Sequence, residues 1–138
     1  LLEMAEQEYQ RAKLDVLQSR AKREPENGDV LYQLGMHLKG VGRLREAIKA
    51  FHQAIADARF TPQAALEGAD AYEREGDWAA ALRLYRLAAQ PSLICHRTDI
   101  RRQALTHAAK LATQLRLPAL ARYYQSKLDA LAAAASDA

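Results

Sequence analysis

Residues 28–61, GDVLYQLGMHLKGVGRLREAIKAFHQAIADARFT, and residues 62–95, PQAALEGADAYEREGDWAAALRLYRLAAQPSLIC, carry one pattern twice at an offset of 34. Leu38 falls on Tyr72, Gly42 on Gly76, Leu44 on Trp78 and Ala47 on Ala81. Ile48 falls on Leu82, Phe51 on Tyr85 and Ala54 on Ala88. Small residues stay small and large ones stay large. A period of this length, in a chain with so little glycine and proline, points to stacked helical units.

Each unit reads as two helices. Val30, Leu31, Leu34, Gly35 and Leu38 keep helical spacing until Gly40-Val41-Gly42 interrupts it. Ala47, Ile48, Phe51, Ala54 and Ile55 then share one face of a second helix, expected from Leu44 to about Ala58. Asp29 is the expected N-cap of the first helix, after Pro25 and Asn27-Gly28. In the next unit Thr61 is the expected cap and Pro62 the opening residue. Gly76-Asp77 makes the turn, Trp78 to Ala89 the return helix, and Pro91 the stop.

The pattern weakens beyond residue 95. Ala104, Ala108, Leu111 and Leu115 give a helix over about 99–115, and Pro118 opens another through Leu120, Tyr124 and Leu128. Placing Tyr124 opposite Tyr85 makes the offset 39, the surplus falling in a longer loop over 90–98. No glycine stands at the turn, which reads Arg116-Leu117-Pro118. At the other end, one long helix is expected up to about Arg23. Its stripe of Leu2, Ala5, Tyr9, Ala12 and Val16 is expected to pack on the first unit. The same helix also suits the second half of a preceding unit, and, less well, a coiled-coil dimer contact. A chain that opens on Leu1 fits a piece of a longer array.

The two central units resemble the tetratricopeptide repeat. The resemblance rests on Leu34-Gly35, Leu38, Gly42, Ala47, Phe51 and Ala54, and on Ala69, Tyr72, Gly76, Ala81, Tyr85 and Ala88. It covers residues 28–95; the family's tryptophan near the start of a unit is replaced by Leu31 and Ala65. It implies an all-α fold, a right-handed α-solenoid of antiparallel helix pairs with about seven helices. The division is an amphipathic helix over 1–27, repeats over 28–61 and 62–95, a degenerate third repeat or capping pair over 96–131, and an alanine-rich tail over 132–138.

By the same resemblance, the first helix of each unit lines a concave groove for a peptide. Carried over position by position, the first unit presents Asp29, Tyr32, Gln33, Met36 and Lys39. The second presents Gln63, Leu66, Glu67, Asp70 and Glu73, and the third Arg102, Leu105, Thr106 and Ala109. Apolar anchors beside Glu67, Asp70 and Glu73 suit a partner carrying apolar and basic residues. Relatives that hold chaperone tails clamp a carboxylate with Lys and Asn. Here Tyr32, Met36 and Glu67 take those places, so that mode is not expected.

Composition narrows the classes of function. The chain has 138 residues, 49% hydrophobic and 27% charged, room for one packed domain. Four prolines and six glycines are few for a loop-rich β fold. The lone Cys95 excludes a disulfide framework and a cysteine zinc site. No apolar run spans a bilayer and no leader pattern is present. The net positive charge comes from residues 91–138, whose seven basic against three acidic residues outweigh a deficit of one in the rest of the chain to give +3. That end carries Arg97, Arg101 and Arg102 at a helix start, where backbone N–H groups also favour phosphate. A solvated basic face is the expectation, because no continuous basic stripe marks a nucleic-acid binder.

Catalytic chemistry has little to stand on. His37, His52, His96 and His107 have no metal-ligand spacing, and adjacent Cys95 and His96 do not face one ion. No serine sits in a nucleophile elbow and no glycine loop cradles phosphate. The expectation is a non-catalytic scaffold without metal or cofactor, binding a protein or peptide. A self-associating module, or a spacer beside other domains of a larger chain, is the alternative.

Overall fold

The computed structural model describes residues 1–91 and 96–137. Cys95, the end of the second unit and the last residue of the tail lie outside the described residues. Among the described residues there are seven helices and no strand. They are α1 (Leu2–Arg23), α2 (Gly28–Gly40), α3 (Leu44–Ile55), α4 (Thr61–Glu75), α5 (Trp78–Ala89), α6 (Thr98–Gln114) and α7 (Pro118–Asp137). Each packs on its neighbour in sequence, and α4 also touches α2 and α6. The first helices of the three hairpins therefore lie side by side.

Three turns set this arrangement. After α2, Gly42 takes φ 84°, and the Arg43 N–H donates back to the Leu38 carbonyl at 2.9 Å. After α4, Gly76 takes φ 82°, and the Asp77 N–H donates to the Tyr72 carbonyl at 3.0 Å. These left-handed closures satisfy carbonyls that a helix end leaves unpaired, and glycine adopts them without a Cβ clash. Arg116 makes the same turn between α6 and α7 at φ 60°, with Leu117 donating to the Ala112 carbonyl at 2.9 Å. The third hairpin thus keeps the closing geometry after losing the residue that makes it easy.

Packing follows the small/large pattern. One cluster joins Leu17, Leu31, Leu34, Leu38, Ala47, Phe51 and Ala54. The other joins Ala65, Ala69, Ala81, Tyr85, Ala88, Ile100, Ala104, Ala108, Leu111 and Tyr124. Ile55 packs against both. Gly35 lies so close under Phe51 that a Cβ placed there would meet the ring at 2.6 Å.

Several local expectations are corrected. Asn27, not Asp29, caps α2: its side-chain oxygen accepts from Asp29 N–H at 3.1 Å and Val30 N–H at 3.5 Å. Asp29 instead accepts from Gln33, one turn on. Thr61 is the first residue of α4 rather than its cap, and its hydroxyl donates to the Ile55 carbonyl at 2.7 Å. α3 ends at Ile55, three residues early, because residues 56–60 turn toward α4. α7, which the sequence allows either to extend through Ala132–Ala135 or to fray there, runs to Asp137.

The apolar stripe of α1 is the largest correction. Leu2 is 88% exposed, Tyr9 59% and Val16 60%, so that stripe packs on nothing here. The helix meets the rest of the chain through Leu14, Leu17 and Ala21, whose spacing of 3 and 4 is equally helical. At 1.5 Å per residue α1 is about 33 Å long and α2 about 20 Å. The first nine residues of the chain are all exposed, as that difference in length requires.

Candidate functional site

The α2–α4 face brings together three of the expected residues. Lys39 near the end of α2 reaches the middle of α4, with Nζ 2.5 Å from Glu67 Oε2 and 2.6 Å from Asp70 Oδ2. Its side chain is only 13% exposed. Burial opposes the ammonium, but the hydrogen bonds to Asp70 and Glu67 outweigh it and raise the Lys39 pKa. Arg74 approaches the same Asp70 oxygen at 3.1 Å. That oxygen is held by charge from two sides.

Glu73 looks elsewhere. It accepts a hydrogen bond from the Tyr85 hydroxyl at 2.9 Å, and the Tyr85 ring stacks on His107 at 5.3 Å. Burial first, and then the hydrogen bond to Glu73, raise the Tyr85 pKa far above its usual value. The acids that read as a free acidic face are therefore matched from inside the chain, by Lys39, Arg74 and Tyr85.

Tyr32 and Met36 lie on the other side of this cluster. They line a groove of about 630 Å³ between α1 and α2, with Gln10, Lys13, Leu17, His37 and Val41. Tyr32 is half-buried and its ring is tilted against Phe51 at 6.0 Å. Burial and the charge of Glu67 raise its pKa, while Lys39 and Arg97 act in the opposite sense. His37 Nε2 lies 3.1 Å from the Gln10 carbonyl and ties the groove's two walls. Met36 is among the exposed large apolar side chains.

The remaining expected residues are more scattered. Leu66 is half-buried against the C-terminal cluster. Arg102 is exposed, whereas Leu105 is 3% exposed and packs within the core. Leu105 is thus a packing residue, because α6 turns its 104–105–108 side inward. Thr106 and Ala109 line a separate groove against α7.

Sequence reasoning did not find Lys13, Leu17 and Val41 in the groove, because they belong to α1 and to a turn. Helical spacing alone does not reveal which wall they form. Among the described residues no three of His, Cys, Asp and Glu gather into a metal-holding group. Among the described residues no helix is long and apolar enough to cross a membrane. Neither a protein-family model nor a curated protein matches this chain.

Proposed function

We propose that the chain is a non-catalytic interaction module of tetratricopeptide type, its helix pairs stacked as a right-handed solenoid. It holds an extended or helical peptide against α2 and the helices beside it. The observation that carries this reading is the contact of α4 with both α2 and α6, which sets three first helices in a row. An interaction surface needs apolar anchors within reach of solvent, and Tyr32 and Met36 supply them beside the open groove. The Lys39–Glu67–Asp70 cluster serves this reading as a brace that fixes α2 against α4. A pairing so satisfied leaves less charge for steering a basic partner than the bare acids imply.

Selection from a displayed peptide library tests this. A selected peptide labelled for heteronuclear NMR titration perturbs amides of α2, α4 and the facing side of α1. Met36→Glu weakens it at least tenfold without altering the fold. Perturbations gathered on α3 and α5, or binding unchanged by Met36→Glu, overturn the groove assignment.

A further inference from the structure

α1 has two apolar faces, and the chain covers one of them. Leu14, Leu17 and Ala21 pack into the N-terminal cluster. The stripe from Leu2 to Val16 lies about 130° around the helix from them. None of its residues lines the α1–α2 groove. Half of the exposed large apolar side chains among the described residues, Leu1, Leu2, Met4, Tyr9 and Val16, stand at this end. The other end of the stack differs. α7 turns Arg122, Ser126 and Asp129 to solvent, and Tyr123 is the single exposed large apolar side chain among its described residues. A helical stack closes on a polar outer face, which α7 has and α1 lacks.

The uncovered stripe has an internal order. Leu2, Ala5, Tyr9, Ala12, Val16 and Ser19 alternate large and small at steps of 3 and 4, and all six are exposed. This is heptad spacing with the large residues at one seam position and the small ones at the other. Two parallel copies would set large on large and small on small, leaving gaps beside the alanines. Two antiparallel copies set every large side chain against a small one. Leu2 meets Ser19, Ala5 meets Val16 and Tyr9 meets Ala12, and symmetry repeats the three layers.

Charge follows the same direction. The ionised side chains of residues 1–10 are Glu3, Glu6 and Glu8, whereas residues 11–23 hold Arg11, Lys13, Arg20, Lys22 and Arg23 against Asp15. Of these, Arg20 alone enters an ion pair among the described residues, with Glu24. Antiparallel copies lay the acidic half of one helix on the basic half of the other and oppose the two helix dipoles.

We infer that this face of α1 binds the same face of a second copy, as an antiparallel dimer with two-fold symmetry. A second copy is the occupant because the stripe complements its own order of size and its own order of charge. Glu6 lies beside Lys13 of the second copy on one flank. On the other flank Glu8 meets Asp15, a like-charge pair that weakens the contact. Six layers cover about 27 Å of helix. That is the small end of specific interfaces, so the dimer is weak and exchanges with monomer. Lys13 is the one residue shared with the peptide groove, and the dimer does not depend on the peptide-binding reading.

Sedimentation equilibrium on the full chain, from low micromolar to near-millimolar concentration, tests it. The expected result is a monomer–dimer equilibrium that stops at two. Tyr9→Glu, on an exposed side chain, weakens association at least tenfold while circular dichroism of the dilute monomer is unchanged. Asp15→Lys reads the direction. In antiparallel copies the new charge faces Glu8 and association tightens several-fold; in parallel copies it faces Arg20 and association loosens. Monomer throughout, growth beyond two copies, association indifferent to Tyr9→Glu, or looser association of Asp15→Lys overturns the proposal.

Discussion

Replacing Gly35 by alanine tests the packing logic of the first hairpin. By the 34-residue offset the change looks harmless, because Ala69 stands at the matching place in the next unit. Helix propensity even favours it, by about 1 kcal/mol. The structure says otherwise. A Cβ at Gly35 would lie 2.6, 2.7 and 2.9 Å from three atoms of the Phe51 ring. Ordinary contact begins near 3.4 Å, so the ring must retreat by about 0.8 Å. Phe51 is fully buried, with Tyr32 packed against it, and has little room to move. Overpacking of a rigid site costs about 1–3 kcal/mol. At the upper half of that range the net loss is about 1–2 kcal/mol. For a chain of this length that lowers the melting temperature by about 3–8 °C. Urea and thermal unfolding followed by far-UV circular dichroism read it directly. Gly68→Ala is the control: its nearest atom is the mobile Leu84 Cδ1 at 3.0 Å, so it is neutral or stabilising by up to about 1 kcal/mol. Gly35→Ala/Phe51→Leu recovers part of the loss. A Gly35→Ala protein more stable than the wild type refutes the close-crossing argument.

Arg116→Gly relieves a left-handed backbone and raises stability by about 1 kcal/mol, whereas Gly76→Ala at the equivalent turn lowers it by a similar amount, both read from urea midpoints. Lys39→Met leaves Glu67 and Asp70 facing each other half-buried, and stability falls by about 1–3 kcal/mol in denaturant titrations at pH 7. The Arg59 hydrogen bond, together with the Gly28 and Arg59 backbone N–H groups, holds Asp57 down to about 2 against an ordinary value of 3.8. A depressed carboxylate contributes stability above its unfolded pKa and loses it as pH falls toward the folded one. Wild type therefore loses more stability than Asp57→Asn between pH 4 and pH 2, in acid unfolding curves.

The hairpins were legible in the sequence because their markers are local. Gly76-Asp77 is the turn and Trp78–Ala89 is the helix that the spacing predicts. α1 was misread because two stripes, one through Tyr9 and one through Leu17, satisfy the same periodicity. Only the position of α2 decides between them. Lys39 and Glu67 are 28 residues apart, and nothing in either helix announces their ion pair. Arg101 drew notice beside Arg97 and Arg102, but the structure sends Arg97 to Asp99 and Arg101 to the Ala89 carbonyl.

The meeting of both apolar clusters at Ile55 bears on how the molecule comes apart. Helices that touch mainly their sequence neighbours fold from short loops, so closure is fast and no distant pairing must be awaited. The same economy makes unfolding piecemeal, with openings that begin at an end and advance hairpin by hairpin. Ile55 is one coupling point of that process, beside the Lys39 ion pairs with α4. A side chain that grips both clusters transmits the loss of α1 and α2 to the C-terminal half; a smaller one there would let the two halves melt as separate events.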